Sequence, residues 1–263
     1  MKGGSILEAL ENLSSNEDEK ALTKEEVMIN KDRSIAKLNS LIESLANSPD
    51  TLKKANNLAY WISQYSTCIS FEKQFDSKRL KRYKRGDVIK VHLGFNIGNE
   101  LGGLHYCVVL DTKNDMGSGT ITVVPLTSSK EDKEYHSSTV NLGEEIYLNL
   151  KKKFELSNNK LFAETTEIIS LKDNFETLDE NGKKEYYKKL SKAMDDLKLT
   201  QKLENEIDRM KQGSIALVGQ ITTISKQRIY DPQTYKDMMS GLKISSDSLT
   251  LIDNKIKELF TKP

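Results

Sequence analysis

The sequence predicts an α+β protein in which a block of short strands stands between helical segments. Three observations carry that reading. Apolar residues recur at three- and four-residue steps before about residue 80, switch to strand-like runs from Lys84 to Leu142, and return to helical spacing over roughly the next 70 residues. A loop rich in glycine and asparagine separates the first two strands. The C-terminal residues resume a helical pattern.

Residues 1 to about 80 read as an N-terminal helical extension. Ile35, Leu38, Leu41, Ile42 and Leu45 share one helix face, and Leu52, Ala55, Leu58, Ala59, Ile62 and Tyr65 share another. Ser48-Pro49-Asp50 separates them: Ser48 is a capping residue, Pro49 suits a first helical turn, and Asp50 suits the positive helix end. The pair is expected to form an antiparallel hairpin. Asn12 to Lys24 is polar, and Ser14-Ser15-Asn16 is expected to be mobile.

The strand block opens at Val88. Val88, Val91 and Leu93 alternate with Lys90 and His92, with a slip at Ile89, and Tyr106 to Leu110 is a continuous apolar run that reads as buried. Gly94, Gly98, Gly102 and Gly103 between them permit close backbone approach, as in a loop built to hold something. Further strands are expected at 122–128 and 138–142 and within 214–229. About 70 residues intervene before the last of these, too many for a loop. Leu190, Ala193, Met194, Leu197, Leu203, Ile207 and Met210 make this insertion, at about 144–212, helical. Its lysines (183, 184, 188, 189 and 192) among acids give a charged face, read as a solvated helix covering one end of the strand block, with a partner-binding or RNA-gripping arm as the alternative. Gln233 to Phe260 is read as a C-terminal helix.

Composition bounds function. Forty basic against 39 acidic residues leave a net charge of +1, so an anionic partner must be recognised by a local patch. Cys68 and Cys107 sit in apolar settings and read as reduced thiols of a cytoplasmic protein. The three histidines form no metal-spaced cluster, and no cofactor is expected. No run approaches the ~18 apolar residues of a membrane span, and no leader-like apolar segment opens the sequence.

Arg85-Gly86-Asp87-Val88, Gly98-Asn99-Glu100-Leu101-Gly102-Gly103, His105-Tyr106, the strand Thr122–Ser128, the strand Ser138–Leu142 and the stretch Ser214–Ile229 follow one another in the order of a known family. Over roughly 120 of the 263 residues the chain resembles the PemK/MazF toxin endoribonucleases. The resemblance implies an SH3-like barrel at 81–263, carrying the insertion and the C-terminal helix. It also implies metal-independent cleavage of single-stranded RNA to a 2′,3′-cyclic phosphate and a 5′-hydroxyl, a homodimer, and inhibition by an antitoxin protein.

Such cleavage needs a base for the 2′-hydroxyl, stabilisation of the phosphorane charge and an acid for the leaving oxygen. Carried over by position, the catalytic pair is His105 and Thr127. The family places arginine where His105 stands. Arginine is a fixed cation with a bidentate fork, whereas histidine is charged part of the time and shuttles protons well near neutrality. Two readings follow: a nuclease using His105 as acid or base, or a protein- or RNA-binding module that cleaves weakly or not at all. Poisoning of a topoisomerase, an activity of related barrels, is a third. His92 is expected to face solvent or a dimer partner, and His136 to lie in a loop. Candidate RNA contacts are Arg85, in the basic run that starts at Lys78; Asn96 and Asn99, whose amides suit unpaired base edges; Ser128; and Lys226 and Arg228, which match a family Lys-Gln-Arg.

Overall fold

Three strands carry apolar residues at consecutive positions, and the computed structural model, which describes residues 22–130 and 133–262, shows why. The expected mobile Ser14-Ser15-Asn16 lies outside these residues. In β1 (Val88–His92), β2 (Leu104–Val109) and β3 (Thr120–Ser128), successive side chains enter different cores. Val88, Val108, Leu110, Val124 and Leu126 join one buried cluster; Ile89, Val91, Leu93, Cys107, Val109, Ile121 and Val123 join a second. A strand alternates its side chains between faces, so both faces of this sheet are covered. The apparent slip at Ile89 is therefore no irregularity: Val88 and Ile89 are each fully buried, on opposite sides.

With β4 (Val140–Asn141), β5 (Ser214–Ala216), β6 (Thr222–Ser225) and β7 (Ile229–Asp231), the strands form one antiparallel sheet in the order β4-β5-β3-β2-β1-β7. β6 also pairs with β3, at Thr120 to Val123, while β5 pairs with Leu126 to Ser128. The expected barrel is not closed by hydrogen bonds. β6 bonds β3 and β7 bonds β1, and one 3₁₀ turn, Lys226–Arg228, carries the chain between them. The 214–229 segment is correspondingly divided, with a further 3₁₀ turn at Val218–Gln220.

The chain divides into compact units at Tyr60/Trp61. Before that point, α1 (Lys24–Ala46) begins at a capping box the sequence reading did not single out. Thr23 Oγ1 accepts from Glu26 N at 3.2 Å and the Glu26 carboxylate accepts from Thr23 N at 2.9 Å, so two end amides of the helix are satisfied reciprocally. The break at Asn47-Ser48 leads into α2 (Pro49–Phe71). α1 fully buries none of its residues: on its apolar face Leu38, Ile42 and Leu45 are half-buried, while Ile35 and Leu41 are 59% and 49% exposed.

The insertion is two long helices, α3 (Glu145–Asp173) and α4 (Glu180–Arg209). Ion pairs Lys160–Asp196, Lys189–Glu167 and Lys192–Glu164, at 2.8, 2.6 and 2.6 Å, fix them antiparallel, since one residue number rises as its partner's falls. Exposed pairs of this kind add little stability. The anchor is apolar: Ile146, Leu150 and Leu203 are fully buried in the cluster that contains Val88, Val108 and Val124.

Only Ser246–Phe260, here α5, is helical in the C-terminal part. The Gln233–Ser245 stretch, expected to be helix, is a series of turns. Asp237 Oδ2 accepts from the backbone of Gln233 and Thr234, Asp231 Oδ1 accepts from Met239 N, Gly241 takes φ +80°, and Ser245 caps α5. Met238, Met239 and Leu242 are nonetheless buried.

The corner ahead of β1 is held by charge. Asp87, 3% exposed, accepts from Lys81 Nζ at 3.3 Å and from Lys84 N at 3.1 Å through Oδ2, while Oδ1 lies 3.4 Å from Lys243 Nζ. Replacing Asp87 by alanine leaves the buried Lys81 cation unpaired, and we expect a loss of about 3 kcal/mol in urea unfolding. Asp253→Ala, which removes the half-exposed partner of Arg85, should cost less than about 1 kcal/mol. Equal midpoint shifts for the two variants would show that the buried corner is not special.

Candidate active site

β2 and β3 pair in the register Cys107↔Pro125, Val108↔Val124 and Val109↔Val123. Continued by two residues toward the start of β2, that register sets His105 opposite Thr127. Directly paired residues share a sheet face. Both side chains line one cleft of about 270 Å³, together with Ser128, Lys90, Tyr106, Glu206, Arg209 and Lys211.

His105 is half-buried, and its Nδ1 lies 3.1 Å from the Leu126 carbonyl. A carbonyl oxygen only accepts, so Nδ1 carries a proton, and in the neutral imidazole the lone pair is then at Nε2. A tautomer fixed in this way suits proton abstraction at Nε2. Thr127 takes its position from β5, paired with Ile215, and Ser128 pairs with Ser214. The hydroxyl-bearing end of β3 is thus held along one edge by β5.

One wall comes from the insertion. Glu206 on α4 accepts from both Lys90 Nζ and the Tyr106 hydroxyl. Burial, with the Glu206 carboxylate beside it, pushes the Tyr106 phenol far above its ordinary pKa, so it remains a donor. Lys90 balances Glu206, and Arg209 and Lys211 follow at the end of the helix. Glu206, Arg209 and Lys211 were not singled out from the sequence. The basic Arg209-Met210-Lys211 just ahead of β5 was the available signal, but assigning the insertion as a cover hid it.

The other predicted contacts are dispersed. Asn96 and Arg228 line a second groove of about 410 Å³ with Glu100, Gln220 and Thr222. Arg228 donates from Nε to the His92 carbonyl at 2.8 Å and lies over the Trp61 ring at 5.3 Å; burial lowers its pKa. Asn99 is exposed in the glycine-rich loop. Arg85 is engaged by Asp253 and the Leu110 carbonyl. Lys226, 2% exposed, donates to the Asp115 carbonyl at 2.9 Å, and burial lowers its pKa. His136 bonds Ser138 and is exposed.

The glycine-rich loop holds itself and one side chain. Gly103 N donates to the Gly94 carbonyl at 2.6 Å, and a Cβ on Gly102 would stand 2.7 Å from that same oxygen. Asn96 donates to the Leu101 carbonyl, and the Gln220 amide bridges Leu101 N and the Asn99 carbonyl.

Residues 84–194 match the family described as PemK-like, MazF-like toxin of type II toxin-antitoxin system. The matched span begins before β1 and ends within α4, so β5 to β7 lie beyond it. No curated protein matches the chain. Among the described residues, no helix is long and apolar enough to cross a membrane.

His92, expected to face solvent or a dimer partner, is half-buried against its own chain. Its ring stacks on Trp61 at 4.9 Å, and Nδ1 accepts from Gly94 N at 3.3 Å. Burial first, then the Arg228 cation, lowers its pKa. The folded chain then binds fewer protons than the unfolded chain below the ordinary histidine value. Stability from this group is therefore lost as pH falls and recovered as pH rises to about 6.5. Urea midpoints measured between about pH 5 and 7 should rise with pH. His92→Phe should flatten that rise; an unchanged slope would remove His92 as its source.

Proposed function

We propose that this chain is a toxin-type, metal-independent endoribonuclease that cleaves single-stranded RNA and is inhibited by an antitoxin. The observation that carries the reading is the convergence of His105 and Thr127 on one cleft, across paired strands of a segment that matches the toxin family. His105 Nε2 takes the proton of a 2′-hydroxyl, and the 2′-oxygen attacks the adjacent phosphorus. The phosphorus–5′-oxygen bond breaks, the departing oxygen takes up the proton that His105 has received, and a 2′,3′-cyclic phosphate remains. The Thr127 hydroxyl donates to a phosphoryl oxygen and orients the scissile group, with Ser128 beside it. Asn96 and Arg228 offer a separate groove for flanking nucleotides, whose unpaired base edges an amide can read.

A second reading, a binding module with weak or no cleavage, is favoured by the histidine at 105, which does not give the permanent charge of an arginine. Cleavage decides between them. Purified protein, freed of any antitoxin, should cut a mixed-sequence single-stranded transcript in the presence of EDTA and leave cyclic phosphate ends. His105→Ala should reduce the rate by roughly 10²–10⁴-fold with RNA affinity little changed. RNA that stays intact through long incubation with excess protein would leave the binding module as the reading, and equal rates for wild type and His105→Ala would remove His105 from the chemistry.

A further inference from the structure

The cleft that holds His105 and Thr127 contains more positive charge than its strands supply. From the sheet come Lys90, His105, Thr127 and Ser128. From α4 and the residues that follow come Glu206, Arg209 and Lys211. The one carboxylate is already answered, by Lys90 and by the Tyr106 hydroxyl. Arg209 and Lys211 are both exposed, and among the described residues neither forms an ion pair. Two cations without a carboxylate, beside two hydroxyls and an imidazole, make a cleft suited to an anion.

Their placement is set by packing. α4 is fixed to the outer sheet face by Leu203, which is fully buried, and β5 begins five residues after Arg209, at Ser214. Ser214 is itself paired with Ser128 in the cleft wall. A short tether between a buried helix and a paired strand leaves Arg209 and Lys211 little freedom to depart. Guanidinium also matches the geometry of a phosphodiester, with two parallel N–H groups toward two oxygens.

We propose that Arg209, with Lys211, is the phosphate-binding element of this site, so that the helical insertion contributes substrate contacts as well as covering the sheet. The role rests on the reading of the cleft as an RNA site. Arg209 holds the two non-bridging oxygens of the phosphodiester, Lys211 adds a second charge on an adjoining phosphate, and His105 is left to move protons.

Binding and cleavage separate this proposal from the reading beneath it. The full-length chain is titrated with a single-stranded 2′-O-methyl RNA, which has no free 2′-hydroxyl and is not cleaved by this chemistry. Arg209→Gln/Lys211→Gln should weaken binding and lower the slope of log affinity against log salt by about 1.4, from ~0.7 per lost contact on a single strand. On cleavable RNA, Arg209→Gln alone should slow single-turnover cleavage by roughly 10²–10³-fold. Adding His105→Arg to Arg209→Gln, which returns a guanidinium to the same cleft, should restore binding. Wild-type affinity and salt slope in the double glutamine variant would overturn the proposal whether or not the protein cuts RNA. Cleavage absent from the wild type, with the salt effect present, would overturn the nuclease reading and leave the phosphate site standing.

Discussion

A sheet with apolar residues on both faces must be covered on both, and that constraint organises the molecule. One face of β1–β3 is enclosed by the sheet's own curvature: Ile224 of β6 and Ile229 of β7 join Ile89, Val91, Cys107 and Val123. The other face meets only Val140 of β4 and Ala216 of β5 from the remaining strands. Ile146, Leu150 and Leu203 from the insertion, Met239 and Leu242 from the turns, and Ile252 from α5 complete that cluster. Each fully buried aliphatic side chain contributes about 1.5–3 kcal/mol relative to exposure, so the insertion is integral to the fold. Coverage of the sheet then places the end of α4 beside β2 and β3, where the cleft forms.

Among the described residues, no strand pairing closes the sheet between β6 and β7, and the chain itself makes the link. β6 and β7 are bound to different neighbours and joined by the Lys226–Arg228 turn. Ser225 caps that turn, Lys226 Nζ reaches the Asp115 carbonyl, and Arg228 reaches the His92 carbonyl. Two residues that the resemblance marks as RNA contacts thus also stabilise the seam. Asp87 does comparable work at the opposite end of β1, joining residues before the strand to Lys243 ahead of α5.

The strands were legible because burial on both faces leaves continuous apolar runs, and the insertion because Leu190, Ala193 and Leu197, and then Leu203, Ile207 and Met210, recur at three- and four-residue steps. The stretch after Pro232 shows the limit. Met238, Met239 and Leu242 have helical spacing and are buried, yet carboxylates of Asp231 and Asp237 bind the local amides and hold turns. Spacing reported burial correctly and conformation incorrectly, since side-chain capping of backbone groups competes with the helix. The His105–Thr127 pair was visible by motif order. Glu206 and Arg209 were not, because about 100 residues separate them from β2 and only tertiary packing brings them together.

A phosphoryl-transfer site has two demands that one side chain meets poorly. Charge on the non-bridging oxygens requires a permanent cation, while exchange of protons with a hydroxyl requires a group that changes its protonation state near neutrality. Arginine meets the first and histidine the second. With histidine on β2, where its Nδ1 proton is fixed by the Leu126 carbonyl, the strand offers a proton carrier and lacks a fixed charge. In the proposed arrangement α4 supplies that charge, so the two tasks are divided between the sheet and the insertion. On that reading the insertion and the histidine complement each other: the helix brings the fixed charge that holds a phosphodiester, and the imidazole brings the proton transfer that fixed charge does not supply.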